Sequence, residues 1–116
     1  IYSFQMNPNL LRGSLDTIIL KLLADHGELY GYEITKMVKE MTKGEITITE
    51  GALYPSLHKL EAKEILQVET RSIGNRYRKY YRITPKGQQE VENLLSDMES
   101  YLQQMALLLF PKSQTI

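Results

Sequence analysis

Residues 49–61 read TEGALYPSLHKLE, and this stretch decides the fold because it predicts a helix with one apolar face and one open face. Thr49 carries a hydroxyl that can accept a hydrogen bond from a free amide of the first helical turn, so it marks the N-terminus. Leu53, Leu57 and Leu60 follow at helical spacing and form a single apolar stripe. The opposite face begins with small, weakly polar residues, which favours close approach to another surface.

A proline lies inside this predicted helix. Proline normally disrupts a helix because it lacks an amide hydrogen and its ring presses on the carbonyl four residues back. Four residues before Pro55 is Gly51, whose backbone is the most permissive available. We therefore expect the helix to bend slightly and to continue through Pro55.

The segment after this helix predicts a basic β-hairpin. Residues 66–72 and 77–83 are rich in β-prone side chains, and they flank Gly74-Asn75, a pair that suits a two-residue type II′ turn. Between positions 71 and 89 there are six basic residues and no acidic ones, although the whole chain has 14 of each. The basic residues are Arg71, Arg76, Arg78, Lys79, Arg82 and Lys86. Such segregation in a neutral chain indicates a focused anion-binding patch.

A helix followed by a basic two-stranded hairpin is typical of a winged helix. In that arrangement the helix enters the major groove of DNA, and the hairpin contacts phosphates or the minor groove. The alternative is a solvated charged hairpin beside an ordinary core helix. On the DNA-binding interpretation, the predicted contact residues are Tyr32, Lys36, Thr49, Gly51, Ala52, Tyr54, Pro55, His58, Lys59, Arg76, Tyr77, Arg78 and Lys79.

The N-terminal half predicts two further helices and a short strand. Residues 10–25 carry a broad apolar face and end at Gly27, a helix stop. Residues 31–41 predict a second helix. Residues 46–48, Ile-Thr-Ile, alternate in polarity and predict a strand that pairs with the hairpin. The order helix, helix, short strand, helix, strand, strand is that of a winged helix-turn-helix.

The last helix carries an apolar seam that needs a partner. Thr84-Pro85 predicts its start, because threonine is an N-cap residue and proline suits the first helical position. Apolar residues then recur at spacings of three and four until Pro111 stops the helix. The helix is too long for so small a domain to cover, which predicts a two-fold homodimer. The alternative is packing on the chain's own first helix, and both can hold. The predicted interface residues are Leu11, Leu15, Ile18, Val91, Leu94, Leu95, Met98, Tyr101, Leu102, Met105 and Leu108.

The predicted fold class is therefore mainly α with a small β-hairpin. It consists of a winged helix-turn-helix domain over residues 10–84 and a long C-terminal dimerisation helix over residues 85–110, which together form one continuous structural unit. A chain of 116 residues suits a single domain.

Four motifs carry a resemblance to a known family. They are EGALYPSLHKLE at residues 50–61, RKYYRITPKG at 78–87, LRGSLD at 11–16 and YGYEI at 30–34. In order and spacing, over about residues 10–109, the chain resembles the PadR family of bacterial transcriptional regulators. One departure is NRYR at residues 75–78, because the family often has two glycines and two arginines before Lys-Tyr-Tyr.

The resemblance implies the function as well as the fold. It implies a cytoplasmic bacterial homodimer, of the type with a single C-terminal helix, that binds a palindromic operator in double-stranded DNA and represses transcription. It also implies a small aromatic or drug-like effector near the dimer interface. The candidates to line that pocket are Ile18, Met98, Tyr101 and Met105. The alternative for these four residues is ordinary dimer core.

Other function classes find little support in the sequence. Cysteine is absent, and the two histidines, 32 positions apart, have no carboxylate at metal-ligand spacing, so we expect neither a metal site nor a cofactor. No phosphate loop or nucleophile motif predicts an enzyme, and no apolar run predicts a membrane span. The remaining alternative is a winged-helix module that binds protein without specific DNA binding. The lysine-containing hairpin argues against it, because protein interfaces are depleted in lysine.

Overall fold

Four α-helices and a three-stranded antiparallel sheet form the fold in the computed structural model, which describes residues 7–114. The elements are α1 (Pro8–His26), β1 (Leu29–Tyr30), α2 (Gly31–Met41), α3 (Glu50–Ala62), β2 (Leu66–Ile73), β3 (Arg76–Ile83) and α4 (Gln88–Leu109), followed by a 3-10 turn (Pro111–Gln114). The predicted fold class is confirmed, including the long C-terminal helix.

The hairpin of β2 and β3 is the wing. Its strands pair from Leu66 opposite Ile83 to Ile73 opposite Arg76, so the loop is the predicted pair of residues, 74 and 75. Gly74 has a φ of 62°, a left-handed value that the first position of this turn requires and that glycine adopts without strain.

The predicted strand at residues 46–48 is wrong. The third strand is β1, which pairs with the free edge of β3, so the sheet order is β1-β3-β2. The amide of Ile46 instead donates to the Thr42 hydroxyl at 3.0 Å, and that hydroxyl donates to the Val38 carbonyl at 2.7 Å. Ile48 is buried, so the alternation reflects packing beneath the α2–α3 turn rather than strand pairing.

The predicted start of the last helix is also wrong by one turn. The α4 helix begins at Gln88, because Thr84 caps a separate turn and does not cap the helix. Its hydroxyl accepts the Gly87 amide at 2.9 Å and donates to the Glu64 carbonyl at 2.6 Å. This turn fastens the end of the wing to the end of α3.

The core lies between the helices and the inner face of the sheet. The α3 helix continues through Pro55, and its predicted apolar stripe is buried as expected. The buried apolar residues are Leu15, Ile19, Leu20, Leu22, Leu23, Leu29, Ile34, Val38, Ile48, Leu53, Leu57, Leu60, Ile65, Leu66, Tyr81 and Val91. The core therefore holds the back of α3 and leaves its front free.

Gly87→Ala is expected to destabilise the protein by about 1–3 kcal/mol, because overpacking against rigid atoms forces the backbone to shift. A Cβ at this position would lie 2.8 Å from the Ile65 carbonyl oxygen and 2.9 Å from the Ile65 Cα. The matched control is Gly13→Ala within α1, where a Cβ meets nothing within 4 Å. That substitution is expected to stabilise by about 0.5–1 kcal/mol. Urea unfolding at one protein concentration measures both, and equal midpoints would contradict the expectation.

Candidate nucleic-acid interface

The front of α3 is exposed at its N-terminal end. The Thr49 hydroxyl accepts the Ala52 amide at 3.2 Å, so the predicted cap is confirmed. The exposed residues of this face are Gly51, Ala52, Pro55, His58 and Lys59. Most of them have short side chains, so the helix backbone can come close to a surface such as the floor of a DNA groove.

Tyr54 links α3 to the start of α2. The residue is half-buried on the flank of α3, and a Cβ at Gly31 would overlap its hydroxyl. Glycine at position 31 therefore makes room for the tyrosine ring. The Tyr54 ring also lies 6.2 Å from the His58 ring, centroid to centroid. The N-termini of α2 and α3 are thus packed together through one side chain.

A concavity of about 430 Å³ lies between the start of α2, the front of α3 and the wing. Its lining combines phenol hydroxyls with cationic groups, which are the donors that phosphate oxygens accept in protein–DNA complexes. The predicted contact residues that line it are Tyr32, Tyr54, His58, Tyr77, Arg78 and Lys79, joined by Tyr30, Gly31 and Tyr81. The structure thus brings six of the thirteen predicted residues to one place.

Three of the six basic residues between positions 71 and 89 are paired with acidic residues of the protein. The Arg71 guanidinium contacts Glu69 at 2.7 Å and Glu28 at 2.5 and 3.1 Å, and the Lys86 ammonium lies 2.9 Å from Glu64. The hydrogen bond from Arg71 lowers the pKa of the Glu28 carboxyl, and the same contact raises the pKa of Arg71. Arg82 lies 3.9 Å from Glu28, a looser pair. These three cations are therefore partly committed to acids of the protein.

The other three basic residues of this segment, all in the wing, remain available to an anion. Within residues 7–114, no ion pair involves Arg76, Arg78 or Lys79. Arg78 lies over the Tyr30 ring at 4.5 Å from its centroid, which holds its side chain while leaving its charge unneutralised. These are the three wing cations that the sequence predicts as DNA contacts.

Lys59 and Lys36 lie away from the concavity. The Lys59 ammonium is 2.8 Å from the Asp16 carboxylate, so it ties α3 to α1. Lys36 lines a second concavity of about 620 Å³ on the outer side of α2, where Tyr32 also lies. The lining includes two basic residues outside the predicted set, Lys39 and Lys43, together with the acidic Glu40. Lys39 lies at i+3 from Lys36 on α2, a spacing that indicates a shared helix face, whereas Lys43 lies beyond the end of the helix at Met41.

The predicted interface residues divide along α4. Leu15 and Val91 are 5% and 2% exposed, so they lie in the core of the single chain. Partly buried against that core are Leu11, Ile18, Leu94 and Leu95. Further along α4, Tyr101, Leu102 and Leu108 are exposed by 56%, 58% and 75%. The second half of the helix thus presents an uncovered apolar strip, which Leu109 and Phe110 extend.

Two of the four predicted pocket residues share a cavity. Ile18 and Met98 line a cavity of about 620 Å³ between α1, the end of α2 and α4. Its other residues are Ser14, Thr17, Lys21, Leu22, Val38, Met41, Thr42, Ile46, Leu95, Glu99 and Leu102. Tyr101 and Met105 do not line it.

Two absences apply to the described part of the chain. Among residues 7–114, no group of three or more His, Asp or Glu side chains is placed to hold a metal ion. None of the helices described there is long and apolar enough to cross a membrane.

Comparison with known proteins places this arrangement among DNA-binding regulators. A model of the transcriptional regulator PadR-like family matches residues 19–93. A transcriptional regulator from Clostridium thermocellum is 31% identical, with a TM-score of 0.78 over 90% of this chain and 98% of that one. A Mycobacterium tuberculosis transcriptional regulator is 37% identical over 76 residues, which is 66% of this chain and 67% of the relative. Bacillus subtilis PadR, solved in complex with operator DNA, is 34% identical, with a TM-score of 0.62 over 70% of this chain and 46% of that one.

Proposed function

This chain belongs to the PadR-like family of transcriptional regulators, and on that premise we propose that it is a homodimeric repressor that binds a palindromic operator. The observation that carries the proposal is the position of unneutralised wing cations beside the open front of α3. Arg78 and Lys79 line the same concavity as that front, and Arg76 lies next to Arg78 at the wing tip. The cations bind phosphates, and the residues at the start of α3 contact base edges. In this proposal residues 10–84 bind DNA and residues 85–110 hold the dimer.

The dimer follows from the apolar strip on α4. A helix of 22 residues is about 33 Å long, and only its first half packs on the core of its own chain. If two chains pack about a two-fold axis beside the exposed half of α4, the apolar strip of each chain covers that of the other. It also relates the two α3 helices by two-fold symmetry, as a palindromic operator requires, and we expect half-sites about 34–36 Å apart.

Selection of duplexes from a random library tests this proposal. We expect enrichment of inverted repeats whose half-site centres lie about one helical turn apart, or a multiple of it. Inserting five base pairs between the half-sites rotates them to opposite faces, so it is expected to abolish tight binding. Binding that enriches no sequence would contradict the proposal and leave the protein-interaction module as the better interpretation.

We further propose that a flat aromatic compound binding the cavity beside Ile18 and Met98 relieves repression. The cavity also contacts Val38, Met41 and Ile46, which belong to α2 and the turn before α3. A ligand in this cavity therefore contacts the segment that sets the position of α3, the helix proposed to contact base edges. Methionine in the wall adapts to ligands of different shape.

Titration with a panel of aromatic compounds is expected to lower operator affinity by about 5–150-fold, the usual range of coupling between two sites. Thermodynamic linkage requires operator DNA to weaken binding of the compound by the same factor. Met98→Trp fills the cavity and is expected to abolish the effect, whereas Leu107→Ala, on the other side of α4, is expected to preserve it. Compounds that bind without changing operator affinity would count against an effector role.

A further inference from the structure

The outer face of the sheet, meaning the side opposite the buried Tyr81, is held by charges and rings rather than by an apolar core. Its residues are Tyr30 on β1, Gln67, Glu69 and Arg71 on β2, and Arg78, Tyr80 and Arg82 on β3. The strand register sets Arg71 directly opposite Arg78. Like charges in this relation destabilise a strand pair, so other contacts must separate the two.

Two tyrosines separate these arginines. Arg71 lies over the Tyr80 ring at 4.2 Å from its centroid, and Arg78 lies over the Tyr30 ring at 4.5 Å. The two rings meet edge to face, with centroids 5.3 Å apart and an interplanar angle of 72°. Each guanidinium therefore has its own aromatic face, and the contacts run continuously from β2 across β3 to β1.

Glu28 joins this outer face to the rest of the protein. It precedes β1 and contacts two arginines of the wing, Arg71 through two contacts of 2.5 and 3.1 Å and Arg82 at 3.9 Å. Backbone pairing between the wing and β1 covers only two residues of each strand. The ion pairs of Glu28 thus add to this short pairing, and to the ring contacts of Tyr30, in fixing the wing to the α2 side of the molecule.

The strand that follows Glu28, β1, leads directly into α2, which packs against α3. Tyr30 is the last residue of β1, and its amide donates to the Glu33 carboxylate in the first turn of α2 at 3.1 Å. Gly31 then receives Tyr54 from α3. Because β1 is joined to α2 and α3 in this way, a change in the angle between the wing and β1 also changes the angle between the wing and these two helices.

We propose that Glu28 is a positioning residue for sequence-specific DNA recognition, which it serves by fixing the angle between the wing and α3 through Arg71 and Arg82. The inference rests on the proposed DNA binding. Operator binding needs the wing on the phosphates and α3 in the groove at the same time, whereas random DNA needs only positive charge. Loss of Glu28 removes a negative charge from beside two arginines, of which Arg71 keeps Glu69 as a partner. Affinity for random DNA is therefore kept or raised while the preference for the operator falls.

Glu28→Gln tests this inference, with Glu64→Gln as the matched control. Both substitutions remove one acidic partner from a basic residue of the 71–89 segment, but Glu64 pairs with Lys86 at the end of the wing next to the core. We expect Glu28→Gln to reduce the ratio of operator to random affinity by about 10-fold while random affinity stays equal or rises. Glu64→Gln is expected to leave the ratio unchanged.

Hydrogen exchange of the free protein supplies the second measurement. Amides of residues 70–80 are expected to exchange at least 10-fold faster in Glu28→Gln and at the wild-type rate in Glu64→Gln. An unchanged ratio overturns the inference, whether or not exchange changes. If the wild type itself does not distinguish operator from random DNA, the proposed function fails, and exchange alone decides whether Glu28 fixes the wing.

Discussion

Leu102→Asp is expected to abolish dimerisation and to remove most operator binding. Leu102 is 58% exposed in the single chain, so the new carboxylate stays solvated in the monomer and the fold is little affected. In the proposed dimer the same carboxylate is buried without a partner, which costs several kcal/mol. Each 1.4 kcal/mol is tenfold in an equilibrium constant, so we expect the dimer dissociation constant to rise by about 10³ or more. A monomer holds only one half-site and loses operator affinity by about 100-fold or more.

Sedimentation equilibrium over micromolar concentrations, with operator titrations on the same samples, measures both effects. Gln103→Asp is the matched control, because it adds the same charge one residue further along α4, on the face away from the apolar strip. The control is expected to sediment and bind as the wild type does. A Leu102→Asp protein that remains a dimer at 1 μM and binds the operator normally would show that α4 does not form the interface.

Local periodicity predicts most of the helices and the hairpin correctly. The stripe of Leu53, Leu57 and Leu60 identifies α3 and its buried face, because the spacing of apolar residues records which side meets the core. Gly74 identifies the turn, because few other residues adopt its φ. Both signals lie within a few residues of the feature they define.

The short strand depends instead on contacts between distant segments. Leu29 and Tyr30 form β1 only because the edge of β3 lies beside them, and two residues carry no periodicity of their own. Ile46 and Ile48 show a better strand pattern, yet a threonine side chain takes the Ile46 amide. Alternation of apolar and polar residues indicates that one side of a segment is buried. The segment pairs as a strand only when the free edge of another strand lies beside it.

The sequence also does not show which of the six basic residues are paired with acidic residues of the protein. A run of six cations predicts an anion-binding wing, but three of them are paired with acids far along the chain. Arg71 meets Glu28 at a separation of 43 positions, and Lys86 meets Glu64 at 22. The same limit applies to the pocket: helical spacing groups Met98 with Tyr101, but only the packing of α1 and α2 shows which of them faces the cavity.

Arg76→Ala/Lys79→Ala is expected to weaken binding to operator and random DNA alike. Neither residue forms an ion pair in the described part of the chain, and both are exposed, so the fold is expected to survive. Each phosphate contact adds about 0.9 to the magnitude of the salt slope, so four contacts in a dimer account for about 3–4 units. At about 0.15 M salt this corresponds to a loss of roughly 10³ in affinity for either DNA. Titrations over a salt series measure the slope.

Tyr54→Phe is the complementary change, because it removes one hydroxyl from the start of α3 and keeps the ring, whose Cζ and Cε1 also lie against Gly31. A lost base-edge contact costs about 1–3 kcal/mol of discrimination between sequences. We therefore expect operator affinity to fall, while affinity for random duplex and the salt slope stay unchanged. Lys63→Ala/Lys86→Ala controls for charge, since it removes two cations next to the end of α3, away from the wing tip, and is expected to change the slope little. If the wing variant loses only operator binding and Tyr54→Phe weakens both DNAs equally, then the wing reads sequence and α3 binds phosphate, the reverse of the roles proposed here.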